Sequence, residues 1–420
     1  MKSSLRALPL IACTFLLSGC IEEVWRASYQ PTPEDSGRFE KVFVSQDGER
    51  IFAGGRGGWP NTQATYGTEK YLASFTKDGT LRWEFVIGDD DGTGGFTNNK
   101  LGPVFAEDAQ RNFYVALKRT KNSGYLKNVL YKFDENGTLL SSTDIPNIGY
   151  MVENVEELIY HNGQLLIAVS GQLLAYSLDG ELLWHFQPET VSGVGYASMS
   201  RVLADGTLVF VSNNYISTLS PSGALLAQRP LSAFGLIGPS ENPPGSYISL
   251  SSYGNSIVLF GATTANQKLL TMNASLAVLD SKTFSIIGEG PSKFLLAQTP
   301  NATCFYNGVT IGAQSHASSR AILWSKNLSE SGFDASPLQL SGNDKYDRCE
   351  ILALSQADGG LSSVVRIYDA KGKEIETENF APLMIHQMAI TGDDLYFASY
   401  ESGSTPLKGV LTRQERREDR

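Results

Sequence analysis

The chain has 420 residues, 41% of them apolar and 19% charged. That balance buries a large core and excludes global disorder. Its 34 Lys and Arg stand against 44 Asp and Glu, a net charge of −10, so the basic surplus of a nucleic-acid binder is absent. Forty-one Gly beside 18 Tyr and 20 Phe point to many tight turns between strands.

Residues 1–19 read as a signal peptide. Lys2 and Arg6 form a positive n-region, and Ala7 to Leu17 is an apolar run too short to span a bilayer. Leu17-Ser18-Gly19-Cys20 follows and resembles the lipobox of bacterial lipoproteins. The resemblance implies cleavage before Cys20 and a lipid on its sulfur. Residue 21 is Ile rather than the Asp that retains such proteins in the inner membrane, which implies the bacterial outer membrane, on its periplasmic or surface side. Several acyl chains on one residue would anchor stably. Loss of Cys13 and lipidation of Cys20 leave Cys304 and Cys349: one disulfide, or two unpaired buried thiols.

Residues 20–38 read as the lipidated Cys and a polar linker containing Pro31 and Pro33, with Val24-Trp25-Arg26 as a short strand. From 39 to 412 the chain repeats itself. Residues 71–83 alternate in and out, turn at Asp78-Gly79 and place Trp83 four residues after the glycine. Residues 174–184 do the same around Asp179-Gly180 and Trp184. Related copies surround Gly137, Gly223 and Gly372. Asp-Gly and Asn-Gly suit two-residue hairpins, and period-two alternation predicts strands. A second hairpin precedes each copy, as at Asp47-Gly48, Asn162-Gly163 and Gly392-Asp393. Cys304-Phe305 into Val309-Thr310-Ile311 reads as another of this kind.

Two hairpins per unit make four strands, and turns 48 and 392 lie seven units apart, about 49 residues each. The fold expected is all-β: a single β-propeller of four-stranded blades, eight of them, with seven as the alternative because 326–347 is poorly patterned. A fourth strand for the last unit is expected from 22–30, pairing the two ends. Residues 413–420 read as a charged tail.

The aromatic residue, Asp-Gly turn and Trp of the better copies look like the quinoprotein-type (PQQ-like) propeller repeat, in which a Trp of the outer strand packs between blades. With the lipobox, roughly residues 40–412 are similar in architecture to the outer-membrane assembly lipoproteins of the BamB family. This resemblance implies an envelope protein as partner, an outer-membrane barrel or a secretion component. Quinone-dependent relatives carry adjacent cysteines, which this chain lacks, so no quinone cofactor is expected.

Four His are present, and no Gly-x-Ser-x-Gly, His-Glu-x-x-His or Walker pattern occurs, so no catalytic residue is assigned. Asp89, Asp91 and Thr93 resemble the start of a calcium loop, but position twelve is Lys100 where an EF-hand has Glu; the alternative is an acidic interblade loop. Residues 54–69 read as a long surface loop, with Arg56, Trp59 and Tyr66 as a candidate partner-contact patch. The function expected is a non-enzymatic interaction scaffold; the alternative is a propeller binding a small ligand or glycan, or an enzyme, at its central funnel.

Overall fold

The computed structural model describes residues 21–29, 35–60, 69–88, 103–120, 126–146, 155–169, 171–188, 198–212, 214–237, 248–285, 294–328, 335–343, 345–357, 360–401 and 407–416. They form eight four-stranded antiparallel sheets, arranged as the blades of one β-propeller.

Blade 1 consists of β2 (Asp35–Val44), β3 (Arg50–Pro60), β4 (Glu69–Thr76) and β5 (Leu81–Gly88). Blade 2 has β6 (Val104–Glu107), β7 (Phe113–Thr120), β8 (Leu126–Phe133) and β9 (Leu139–Ile145). Blade 3 has β10 (Val155–His161), β11 (Gln164–Val169), β12 (Gln172–Ser177) and β13 (Leu182–Phe186). Blade 4 has β14 (Met199–Val202), β15 (Leu208–Ser212), β16 (Tyr215–Leu219) and β17 (Leu225–Pro230). Blade 5 has β18 (Ile248–Tyr253), β19 (Ser256–Ala262), β20 (Asn266–Met272) and β21 (Val278–Ser285). Blade 6 has β22 (Leu295–Gln298), β23 (Ala302–Tyr306), β24 (Thr310–Ser315) and β25 (Ile322–Asn327). Blade 7 has β26 (Ala335–Asn343), β27 (Arg348–Ala357), β28 (Gly360–Tyr368) and β29 (Glu374–Asn379). Blade 8 joins β30 (Leu383–Thr391), β31 (Asp394–Glu401) and β32 (Gly409–Arg416) to β1 (Ile21–Tyr29).

The ring is closed by β1 pairing β32, with Ile21 opposite Arg416 and Tyr29 opposite Gly409. The two-ended last blade is thus present, and the blade number is eight rather than seven. The boundaries move outward from those expected. Residues 21–29 are a strand rather than linker, and the propeller runs through Arg416 rather than stopping at 412. In blade 6 the Asn307-Gly308 hairpin joins the second and third strands, not the first and second.

Eight apolar clusters hold the ring, one at every blade–blade interface. A lone sheet would leave both faces wet; stacking buries each face on its neighbour. Between blades 1 and 2, Phe52 and Phe113 stack at 3.8 Å. Between blades 8 and 1, Tyr29 and Tyr71 stack at 3.7 Å.

The Asp-Gly turns are not two-residue turns. Asp134 Oδ1 accepts from the amides of Asn136 and Thr138 at 2.9 and 2.7 Å, and only Gly137 has positive φ, +83°. In this Asn136-Gly137 turn Asp134 serves the backbone two and four residues on; at Asp78-Gly79 and Asp179-Gly180 Thr76 and Ser177 hold the corresponding place, and the glycine takes the left-handed position of the following bulge. Asn162-Gly163 is a true two-residue turn, both residues having positive φ.

The first two strands of every blade meet at one face of the ring, and the third and fourth meet at the same face. We call it the tight-turn face. The other connections lie at the opposite face, where many segments fall outside the described residues.

Candidate functional site

The first strand of each blade lines the ring axis. Its inner edge has no further strand to pair with, so its backbone groups need other partners. Four first strands carry a bulge at a corresponding place: Phe39/Lys41, Val155/Glu157, Pro337/Gln339 and Ile385/Gln387. A bulge re-aims the side chain that follows it. In each case that side chain is polar.

Three of the four reach the next blade. Gln387 Oε1 accepts from the Val42 amide at 2.9 Å. Gln339 Oε1 accepts from the Met388 amide at 2.9 Å, while its Nε2 donates to the Met388 carbonyl at 2.7 Å. Glu157 Oε2 accepts from the Ser200 amide and hydroxyl, at 2.5 and 2.8 Å. The fourth, Lys41, can only donate. No hydrogen bond or ion pair engages it among the described residues.

Lys41 faces a cavity of about 290 Å³ on the axis, together with Phe105, Glu156, Glu157, Arg201 and Gln387. Arg201 Nη1 holds Glu157 Oε1 at 2.6 Å, so that carboxylate is engaged. Burial pushes the Lys41 pKa down, against the pull of Glu40. The ammonium is half-buried and open to the cavity, with the Glu40 carboxylate as a nearby countercharge.

Beside it, one carboxylate serves two guanidinium groups. Glu40 Oε1 accepts from Arg56 Nε at 2.7 Å and Nη2 at 2.5 Å, and from Arg38 Nη2 at 2.9 Å. His386, the bulged residue of β30, stands next to this group, its ring 5.3 Å from that of Tyr400. Its side chain is exposed at the inner edge of the ring. Desolvation, then the nearby Arg38, lowers its pKa to about 4; Arg56 and Lys41 act the same way, and Glu40 opposes them.

The expected site residues fall in different places. Arg56 is not on a surface loop: it is 7% exposed inside β3, ion-paired to Glu40. The loop reading of 54–60 gives way because this glycine run is strand. A Cβ on Gly54 would lie 2.5 Å from Pro103 Cγ, and one on Gly55 would lie 1.9 Å from the Arg38 carbonyl oxygen. The neighbouring strands come too close for any side chain, so glycine there marks close approach rather than a loop. The Trp59 side chain, Tyr66, Asp89, Asp91, Thr93 and Cys20 lie outside the described residues. Cys304 of blade 6 and Cys349 of blade 7 form a disulfide between adjacent second strands. His161 lies 2.9 Å from Asn162 at a turn, and His316 stacks on Tyr253 at 3.7 Å. No group of three His, Cys, Asp or Glu is placed to hold a metal among the described residues.

Sequence reasoning missed Lys41, Glu157, Gln339, Gln387 and His386. The available signal was a polar residue at one recurring place in the first strands.

No protein-family model and no curated protein sequence matches the chain. Among solved structures it is similar to the Dos1 propeller, with a TM-score of 0.57 and 9% identity over 94% of this chain and 96% of that one. It is also similar to dihydro-heme d1 dehydrogenase NirN in complex with DHE, with a TM-score of 0.51 and 13% identity over 84% of this chain and 71% of that one. At such identities the likeness is one of fold. The chain is an eight-bladed β-propeller whose polar axis carries both cations and carboxylates.

Proposed function

We propose that this chain is a lipid-anchored propeller of the bacterial outer membrane acting as a non-enzymatic protein-interaction scaffold. One observation supports this reading most: β1 starts at Ile21, the residue after Cys20, and is a full strand of blade 8. A lipid on Cys20 would join the ring with no spacer, presenting a rigid body at the membrane. Its blades would be of the quinoprotein type, with an architecture related to that of the BamB family. Its partner would be an envelope protein, an outer-membrane barrel or secretion component, and no cofactor is required. The test is in-cell crosslinking and mass spectrometry beside Cys20→Ser. Capture of one envelope protein, weakened in the variant, is expected. Background capture alone, or no labelled-palmitate incorporation at Cys20, overturns the reading.

A second reading rests on Lys41. A half-buried ammonium that no hydrogen bond or ion pair engages among the described residues, over a cavity of this size, suits a small anionic ligand, a carboxylate or phosphate ester. Titrating inorganic phosphate or acetate should move the His386 ring signals, and Lys41→Met should abolish the movement. Signals that stay fixed would leave the scaffold reading alone.

A further inference from the structure

The outermost strand of each blade starts at the tight-turn face. In blades 2 to 6 its first two residues are aliphatic: Leu139-Leu140, Leu182-Leu183, Leu225-Leu226, Val278-Leu279 and Ile322-Leu323. A β-bulge falls within each pair and breaks the strand's alternation, so spacing alone commits neither residue to the core. Nine of the ten are exposed, from 39% at Leu139 to 58% at Leu226. The pairs recur at the bulge of each of these strands and are followed by Ser141, Trp184, Ala227, Asp280 and Trp324. In blades 7, 8 and 1 a charge breaks the pair, at Glu374, Glu23 and Arg82.

The aliphatic pairs therefore form an arc around one edge of the ring, centred on blade 4. Blade 8 lies across the axis from it. There, Ile21 pairs with Arg416, whose amide donates to the Asp393 carbonyl in a tight turn, so β1 begins on the same face as the arc. The twenty residues before it hold the apolar run Ala7 to Leu17 and Cys20. The attachment point and the aliphatic arc share one face, on opposite sides of the axis. The turns before Leu225 and Val278, residues 221–224 and 274–277, carry no charge, whereas those of blades 2 and 3 carry Asp134, Glu135, Asp179 and Glu181.

We infer that the tight-turn rim of blades 4 and 5, Leu225, Leu226, Val278 and Leu279, docks on the bilayer. The occupant is the boundary between headgroups and acyl chains, where exposed aliphatic side chains are taken out of water. Held at blade 8 and resting on blades 4 and 5, the ring lies flat, tight-turn face down. The opposite face is left for a partner. This orientation rests on the anchor reading; the affinity of the rim for lipid does not.

The mature protein is purified from membranes into phosphatidylcholine vesicles, with bimane on Leu226→Cys or, at the far end of the same strand, Arg229→Cys. Brominated acyl chains should quench the label at 226 several-fold more than at 229. Equal quenching, or none at 226, overturns the inference. Failure of the anchor reading shows separately: the wild-type protein would then take the label at Cys20. In the second arm, Cys20→Ser chain is floated with the same vesicles. Replacing Leu225, Leu226, Val278 and Leu279 by Ser should lower its partitioning at least tenfold with an unchanged circular-dichroism spectrum. Unchanged partitioning overturns the inference, as does a dimer of the Cys20→Ser chain without lipid that the Ser replacements abolish.

Discussion

Trp25 of β1 lies over Gly79, the left-handed residue of the turn between β4 and β5, and its Nε1 donates to the Lys77 carbonyl at 2.9 Å. The same contact recurs between other neighbours: Trp83 over Gly137, Trp184 over Gly223 and Trp324 over Gly372. Each places an indole of one blade's outer strand on the turn of the next. Glycine is required twice, by its φ near +80° and by the ring above it; a Cβ on Gly223 would sit 2.4 Å from Trp184. Gly163 has a similar φ, +77°, with nothing within 4 Å. Gly163→Ala should cost about 1–2 kcal/mol for the left-handed conformation alone. Gly223→Ala should cost about 1–3 kcal/mol more, because the indole must move. Urea unfolding of both variants measures the difference, and equal losses would show that the indole contact contributes nothing.

His386 makes stability depend on pH. The unfolded chain takes up its proton near the ordinary value of 6.5, the folded chain only near about 4. The stability tied to neutral His386 is complete above the first value. It is lost progressively as pH falls to the second. Lys41→Met removes one of the cations that depress the pKa and should raise it toward 6.5. A ring-proton titration by NMR reads both values, and an unshifted pKa in the variant would show that Lys41 does not act on the ring.

Glu350 of β27 and Arg416 at the end of β32 form an ion pair buried almost completely, joining blade 7 to the closing blade. Burial pushes the carboxyl pKa up, and Arg416 pulls it back. Arg416→Ala leaves that carboxylate in the interior without its cation and should cost about 3–5 kcal/mol. The double variant Glu350→Leu with Arg416→Met should recover most of the loss, since neither charge is then buried alone. Thermal unfolding decides it: a double variant as unstable as the single one would mean that the pair is needed for more than charge balance.

The Cys304–Cys349 disulfide closes a loop with a sequence separation of 45. A loop of that length implies about 4 kcal/mol of stabilisation from the constrained unfolded chain. Replacing both cysteines by Ala should lower the urea midpoint accordingly, and wild-type protein in reducing agent should match. A midpoint that does not move would place the two blades' cohesion wholly in the apolar cluster around Ile351 and Tyr368.

The fold was largely legible because its turns have few chemical solutions. Asp134, Gly137 and their counterparts recur since the backbone needs an acceptor and a left-handed residue at fixed offsets. Trp324 escaped notice because its turn reaches positive φ at Arg320 without a glycine, so the motif beside it is absent. β26 escaped because Pro337 and a bulge break its alternation. The axis was the least legible part. Lys41, Gln339 and Gln387 are informative only once their strands share a centre, and Arg56 looked like a loop residue among glycines. Periodicity reports which side of a strand is buried, not which edge lacks a neighbour.

The pairing of β1 with β32 also has a mechanical meaning. β1 begins at Ile21, so tension applied at that residue along the strand pulls parallel to the ladder rather than across it. Eight residue pairs from Ile21–Arg416 to Tyr29–Gly409 then share the load at once, with Trp25 wedged over Gly79 as a barb. The ring is closed in shear, the direction in which a β-ladder yields last.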